Sequence, residues 1–289
     1  MKTFINTQVK NEALLLEKVL PFWKMYPVER FVFYNDGSTD KTTDVISDIL
    51  GDRAKIVNPE DKPSHDPHMS ADYNEAHMRY AMMEYNKSEK ADLMIALDAD
   101  ELMSYSIVKA FEQVKQACAE NSVYFYWYNV VGSLKQIRQD PAYVKNYRNF
   151  IVPLKNSTSY DLNTAQRNKK AMHETPRTPT INLPAVMADL NYGFIHLQAL
   201  NTKFYALKQL FYKMFEHKEY GREAKDLLFY DQVVNNLNFC AVDTPLSIIG
   251  DWEFDGSVFD KILEIKEYEK YIKENYNPDL VTFGAEFLD

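Results

Sequence analysis

From residue 2 to about residue 130, short apolar runs alternate with stretches of helical period, and several of the runs end in a polar cluster. Phe4 to Val9 reads as a strand, Ala13 to Met25 as a helix, Phe31 to Tyr34 as a strand and Thr39 to Leu50 as a helix. Ile56 and Val57 mark a further short strand, Ala71 to Tyr85 a helix, and Leu93 to Leu97 an apolar strand that ends abruptly in acid. Strands separated by helices pair in parallel through crossovers, so this order predicts an α/β fold built on a mostly parallel, Rossmann-type sheet flanked by helices. In such sheets ligands sit outside the carboxyl ends of the strands. The three polar clusters of interest fall there: Lys10-Asn11-Glu12, Asp36-Gly37-Ser38-Thr39-Asp40 and Asp98-Ala99-Asp100-Glu101.

Beyond residue 121 the character changes. SVYFYWYNVV and NFIVPL are aromatic-rich extended segments separated by a polar loop, and this half is less regular. The expected division is one domain over 1-200, in two halves at 1-103 and 104-200, followed by a helical C-terminal extension at 201-289 packed on the core. Between Asn201 and His217, residues Phe204, Leu207, Leu210, Phe211, Met214 and Phe215 recur at helical spacing beside several lysines. Such a stripe is expected to pack onto its own domain, with a helix lying on a membrane surface as the alternative.

Composition narrows the function classes. Forty-two acidic against 33 basic side chains leave a net charge of −9, which argues against a partner that needs a continuous basic surface, such as duplex nucleic acid. Cys118 and Cys240 match no metal-ligand or redox spacing and read as two buried thiols. The N-terminal MKTFINTQVKNEA lacks the apolar run of a signal peptide, and no stretch approaches the roughly 18 apolar residues of a membrane span. A cytoplasmic protein is expected, with the inner membrane face as its one plausible membrane contact.

The acidic cluster carries the clearest chemistry. If the chain stays extended, Asp98 and Asp100 project to one side and can offer two carboxylates to one cation. Magnesium or manganese is held in this way, by one or two carboxylates plus substrate phosphates. A solvated acidic turn is the competing explanation. Asp36 occupies a strand end where a carboxylate can accept hydrogen bonds from a base or ribose, whereas Ser38 to Asp40 are explained by helix capping alone. The segment SHDPHMSADYNEAH offers His65, Asp66, His68, Asp72 and His77, but a loop without a rigid scaffold seldom converges ligands, and we discount it as a second metal site.

Taken in order, VKNEALLLEKVL, FVFYNDGSTDKTTDVI and ADLMIALDADELM resemble the nucleotide-sugar-binding half of family 2-like glycosyltransferases of the GT-A fold, over residues 3 to about 103. In the second half, RNFIVPL, AMHETP and YGFIHLQ resemble a pattern in some members where a His-Glu pair precedes a strand ending in His. The resemblance implies that Asn11, Glu12, Asp36 and Asp98 line the nucleoside pocket. It implies that Asp98 and Asp100 form a D-x-D element, with Asp100 chiefly ligating Mn2+ or Mg2+ on the diphosphate. It makes Glu174 the general base, and His196 a metal or pyrophosphate contact. Read from the residues alone, His173 and Glu174 are a surface pair and His196 a hydrogen-bonded core histidine.

The activity implied is transfer of a sugar from a nucleotide-sugar donor, UDP-linked, to a carbohydrate or lipid-linked carbohydrate acceptor, with inversion. The commonest setting of such chains is surface polysaccharide or glycoconjugate synthesis. The acceptor would lie against the aromatic strand Tyr124 to Tyr128, on whichever side faces the pocket. Two readings compete. A nucleotidyltransferase also pairs a nucleotide pocket with acidic ligands, but this chain has KNEA where a glycine- and lysine-rich loop would be expected. A non-catalytic nucleotide- or sugar-binding protein is the other.

Overall fold

The computed structural model describes residues 1–58, 71–138, 146–158, 177–235 and 241–280. Along the chain the strands are β1 (Thr3–Val9), β2 (Arg30–Asn35), β3 (Ala54–Val57), β4 (Leu93–Ala96), β5 (Glu101–Met103), β6 (Ser122–Val131), β7 (Ser133–Arg138), β8 (Tyr147–Asn149), β9 (Ile151–Pro153), β10 (Ala185–Met187), β11 (Gly193–His196) and β12 (Ala241–Asp243). The α-helices are α1 (Ala13–Lys24), α2 (Thr42–Leu50), α3 (Ala71–Ser88), α4 (Tyr105–Lys109), α5 (Phe111–Glu120), α6 (Thr202–Tyr220), α7 (Leu228–Asn235), α8 (Leu246–Ile249) and α9 (Leu263–Glu274).

The first sheet runs β3-β2-β1-β4-β9, with β1 to β4 all parallel and β9 antiparallel at the edge. Its two faces follow from alternation along each strand. Ile5, Phe31, Phe33 and Ile95 join the core beneath α1 and α2. Phe4, Val32 and Met94 pack with Met83 of α3 on the other face. The expected α/β architecture, a mostly parallel sheet flanked by helices, is therefore the one found.

Helix boundaries shift by a few residues from the sequence reading. The expected start of α2 at Thr39 moves to Thr42, because Asp40 holds the preceding turn: its carboxylate accepts from the Thr42 amide at 2.9 Å and from the Ala13 amide at 3.1 Å. Thr42 in turn accepts the Glu12 amide at 2.8 Å, so the loops after β1 and β2 are tied together.

The second sheet runs β12-β7-β6-β11-β5, with β8 and β10 also pairing with β6. Here β11 is parallel to β6 and antiparallel to β5. Leaving β4 in the first sheet, the chain turns once through Asp98–Glu101 and enters β5 in the second. The acidic cluster is thus a crossing point between the sheets, as is Phe150 between β8 and β9.

At the C-terminal end, the apolar stripe of α6 is turned inward: Phe204, Leu207, Leu210 and Met214 are buried, and Phe211 packs on Tyr268 of α9 at 4.6 Å between ring centroids. Lys213 on the same helix is also buried, bonded to Asp231 of α7 at 2.6 Å. Among the described residues no helix is long and apolar enough to cross a membrane. Cys118 is buried, and Cys240 lies outside the described residues.

Candidate active site at the junction of the two sheets

The acidic cluster is a turn and not the extended segment that alternation would require. The Glu101 amide donates to the Asp98 carbonyl at 3.0 Å, and the Asp98 amide donates to the Glu101 carboxylate at 2.9 Å. A tight turn lets one short peptide serve two sheets: Leu97 donates to the Asn6 carbonyl of β1 at 3.0 Å, while the Asp100 carbonyl accepts from Leu197, just after β11, at 2.9 Å. The turn is also held from the core. Trp23 of α1, fully buried and stacked with Phe31 and Phe33, donates its indole N–H to the Glu101 carbonyl at 2.9 Å.

The three carboxylates have different surroundings. The Asp98 side chain is 41% exposed and engaged by two guanidinium groups, Arg177 at 2.7 Å and Arg79 at 3.5 Å. Burial of the turn pushes its pKa up, but Arg177 and Arg79 outweigh that and hold it below the usual carboxylate value. Glu101 is fully buried and paired with Arg177. Burial and the neighbouring Asp98 push it upward despite Arg177. Asp100 is 14% exposed and lies 3.3 Å from Nε2 of His196. Burial opposes its ionisation, but His196, with smaller contributions from Lys208 and Arg177, lowers it to about 2.

His196 ends β11, level with Glu101 on β5 and with Asn129 on β6. Its Nδ1 lies 2.8 Å from the Asn129 side-chain oxygen, and its ring stacks on Trp127 with centroids 4.4 Å apart. On the aromatic strand β6, the side carrying Phe125, Trp127 and Asn129 therefore faces the acidic turn, while Tyr126 and Tyr128 pack with each other at 4.6 Å on the opposite side. The Arg148 guanidinium also lies over the Trp127 ring at 4.4 Å. With His196 on one face and a guanidinium over the ring at the same distance, Trp127 offers no open platform for stacking a sugar.

Asn11 and Asp36 stand on the same carboxyl edge, one and two strands away from the turn. Asn11 adopts φ +56°, a left-handed conformation that Asn tolerates better than most residues. Its side-chain oxygen accepts from the Thr39 amide at 2.8 Å and its own amide donates to Ser38 at 3.0 Å. Asp36 is 23% exposed, with Lys10 at 3.6 Å. Glu12 begins α1, its amide tied to Thr42. The structure thus joins Asn11, Glu12 and Asp36 in one loop pair, and joins Asp98, Asp100 and His196 in a second group beside it. Glu174 lies outside the described residues, as do His65, Asp66 and His68.

Arg79, Arg177 and Asn129 did not stand out in the sequence as site residues. Arg79 left a signal there: with Met82, Met83 and Asn86 it sits at core spacing on α3, and an arginine on a buried stripe needs a charged partner. It donates to the Arg177 carbonyl at 3.2 Å as well as pairing with Asp98. Beneath these groups a pocket opens on the α3 face of the first sheet, lined by Asn6, Gln8, Met82 and Met94 and roofed by Asp98 and Arg177.

A divalent cation fits one part of this donor set. Asn129 donates its own amide towards the Trp127 carbonyl at 3.4 Å, which leaves its oxygen for His196, so that Nδ1 carries the imidazole proton. The His196 Nε2 lies 3.3 Å from Asp100, within ion-pair and hydrogen-bond reach when that nitrogen carries a proton, and a cation can take the proton's place. Two lone pairs directed at each other repel unless a proton or a cation lies between them. Asp100 and His196 therefore suit a cation. Asp98 does not in this arrangement, since guanidinium groups hold it. Among the described residues no group of three His, Cys, Asp or Glu side chains could enclose a metal, so substrate oxygens or water would complete the shell.

Neither protein-family models nor curated protein sequences match this chain. Solved structures similar to it include TarS of S. aureus, which aligns over 83% of this chain and 44% of that one with a TM-score of 0.44 and 12% identity. TarS 1-349 in complex with UDP aligns over 79% and 74%, with a TM-score of 0.44 and 10% identity. A 4-diphosphocytidyl-2C-methyl-D-erythritol synthase aligns over 65% and 90%, with a TM-score of 0.37 and 10% identity. The chain spans less than half the length of the first TarS chain.

Proposed function

We propose that the protein is a cation-assisted glycosyltransferase that uses a nucleotide-sugar donor, with the nucleoside at the Asn11/Asp36 loop pair and the diphosphate at the acidic turn. The observation that carries this reading is the pairing of Asp100 with His196 in a turn where Arg79, Arg177 and Lys208 also converge. In a chain of net charge −9, cationic side chains gathered at the carboxyl end of a parallel strand suit an anionic ligand.

In this reading Asp100 and His196 hold Mn2+ or Mg2+, which supplies Lewis-acid stabilisation to the departing diphosphate. Arg177 keeps Asp98 and Glu101 in register and contributes positive charge where the leaving group becomes more anionic. In this reading the exposed part of the Asp98 carboxylate accepts from a ribose hydroxyl of the donor. Trp127, with His196 and the Arg148 guanidinium both against its ring, fixes His196, and the acceptor binds elsewhere on the second sheet. Glu174, three residues before Arg177 in the chain, is the proposed general base, taking the acceptor hydroxyl proton as that oxygen attacks the anomeric carbon. One displacement of this kind inverts the anomeric centre. A uridine donor and a carbohydrate or lipid-linked acceptor follow from the sequence resemblance.

Titration calorimetry of the intact chain with UDP, with and without Mn2+, tests the reading. We expect binding that strengthens at least tenfold with Mn2+, and loss of that enhancement in Asp100→Ala. UDP affinity indifferent to both metal and Asp100 would sink the proposed site. If Glu174 is the base, Glu174→Gln retains UDP binding and loses sugar transfer by about 100-fold or more.

A further inference from the structure

We propose that Asn129 is the positioning residue of the site: through its side-chain oxygen it fixes the His196 tautomer, so that Nε2 and not Nδ1 is presented to the cation beside Asp100. This deepens the proposed function and rests on its assignment of Asp100 and His196 as the cation-holding pair.

Asn129 lies deep in β6, 8% exposed, beside His196 on β11 in the parallel register of the two strands. Its side-chain oxygen meets Nδ1 at 2.8 Å, and its amide group is directed to the Trp127 carbonyl. That second contact gives the side chain a direction. Flipping the amide would set its oxygen against the Trp127 carbonyl, two acceptors facing each other, so the oxygen stays on Nδ1. Trp127 stacked on the ring at 4.4 Å removes the other freedom, rotation of the imidazole about χ2. A histidine whose distal nitrogen donates to a fixed oxygen has its basic nitrogen aimed before any ligand arrives, and loss of such a partner typically weakens metal affinity 10–100-fold. Sequence gave no hint of Asn129, because an Asn in a half-aromatic strand also reads as an ordinary strand residue with a satisfied amide.

The test uses the full chain, free of metal, with Asn129→Ala and Asn129→Asp. Nitrogen-15 NMR of the ring nitrogens at alkaline pH, assigned by comparison with His196→Gln, reads the tautomer directly. The expected result is a proton on Nδ1 in the native chain, a mixed or Nε2-protonated ring in Asn129→Ala, and return to Nδ1 in Asn129→Asp, which keeps the acceptor. Mn2+ affinity, followed by electron paramagnetic resonance in the presence of UDP, should fall 10–100-fold in Asn129→Ala and recover to within a few-fold in Asn129→Asp. A native ring protonated on Nε2 overturns the proposal. So does an Asn129→Ala protein whose thermal midpoint is native-like and whose tautomer and Mn2+ affinity are both unchanged. If the native chain shows the Nδ1 tautomer but takes up no Mn2+, Asn129 orients His196 but not for a cation, and the failure lies with the proposed function.

Discussion

Trp23 shows how a core residue can govern a site it does not enter. Its ring is stacked on Phe31 and Phe33 under the first sheet, and its only polar atom ends on the Glu101 carbonyl. Trp23→Phe keeps most of the apolar contact but leaves that buried carbonyl without its donor, which costs about 1–3 kcal/mol. We expect a lowered urea midpoint, and weaker UDP binding in the variant at temperatures where it is still folded. Asp100 supports a sharper test because its ionisation is coupled to folding. Its folded pKa, about 2, lies below the unfolded value, so its contribution is present above the ordinary carboxylate pKa of roughly 3.9 and is lost as pH falls towards 2. In EDTA, Asp100→Asn should destabilise the protein by about 2 kcal/mol at pH 6 and by much less at pH 2.5, as read from urea midpoints at the two pH values. Equal losses at both would mean that the His196 contact contributes nothing through charge.

For the elements, the decisive contact is between β6 and β11. A Cβ on Gly193 would lie 2.5 Å from the Tyr128 ring and 2.6 Å from the Tyr126 carbonyl, and the second of these is backbone that cannot turn aside. Tyr128 is itself tied by its hydroxyl to the Leu190 carbonyl. Gly193→Ala must therefore push β11 away from β6, three residues before His196. We expect a loss of roughly 1–3 kcal/mol, typical of overpacking, together with weakened Mn2+ binding. Thermal denaturation and the paramagnetic titration would show the two effects together. A stable variant with native Mn2+ affinity would mean that the register of β11 does not set the His196 position. Helix α3 is the other informative element. Its Met82 and Met83 are buried, and Arg79 on the same stripe becomes intelligible once Asp98 is seen opposite it.

Across the whole molecule, the turn through Asp98–Glu101 links the two sheets, and that link brings the site together. The parallel order of β1 to β4 and the helices on both faces were legible because alternation and helical period are local properties, repeated often enough along the chain to fix fold class. The position of the acidic cluster at a strand end was legible for the same reason. Its shape was not. Alternation implied that Asp98 and Asp100 point the same way, but the Asp98–Glu101 hydrogen bond closes a turn that gives Asp98 to two arginines and Asp100 to a histidine. Which carboxylate meets which partner depends on β5 pairing with β11 and β11 with β6, contacts between segments far apart in sequence. Local residue pattern settles what kind of sheet forms and where its reactive edge lies. The charge state and company of each side chain on that edge come from long-range strand pairing, because the hydrogen bonds and charge contacts that set them depend on distances in space between segments far apart along the chain.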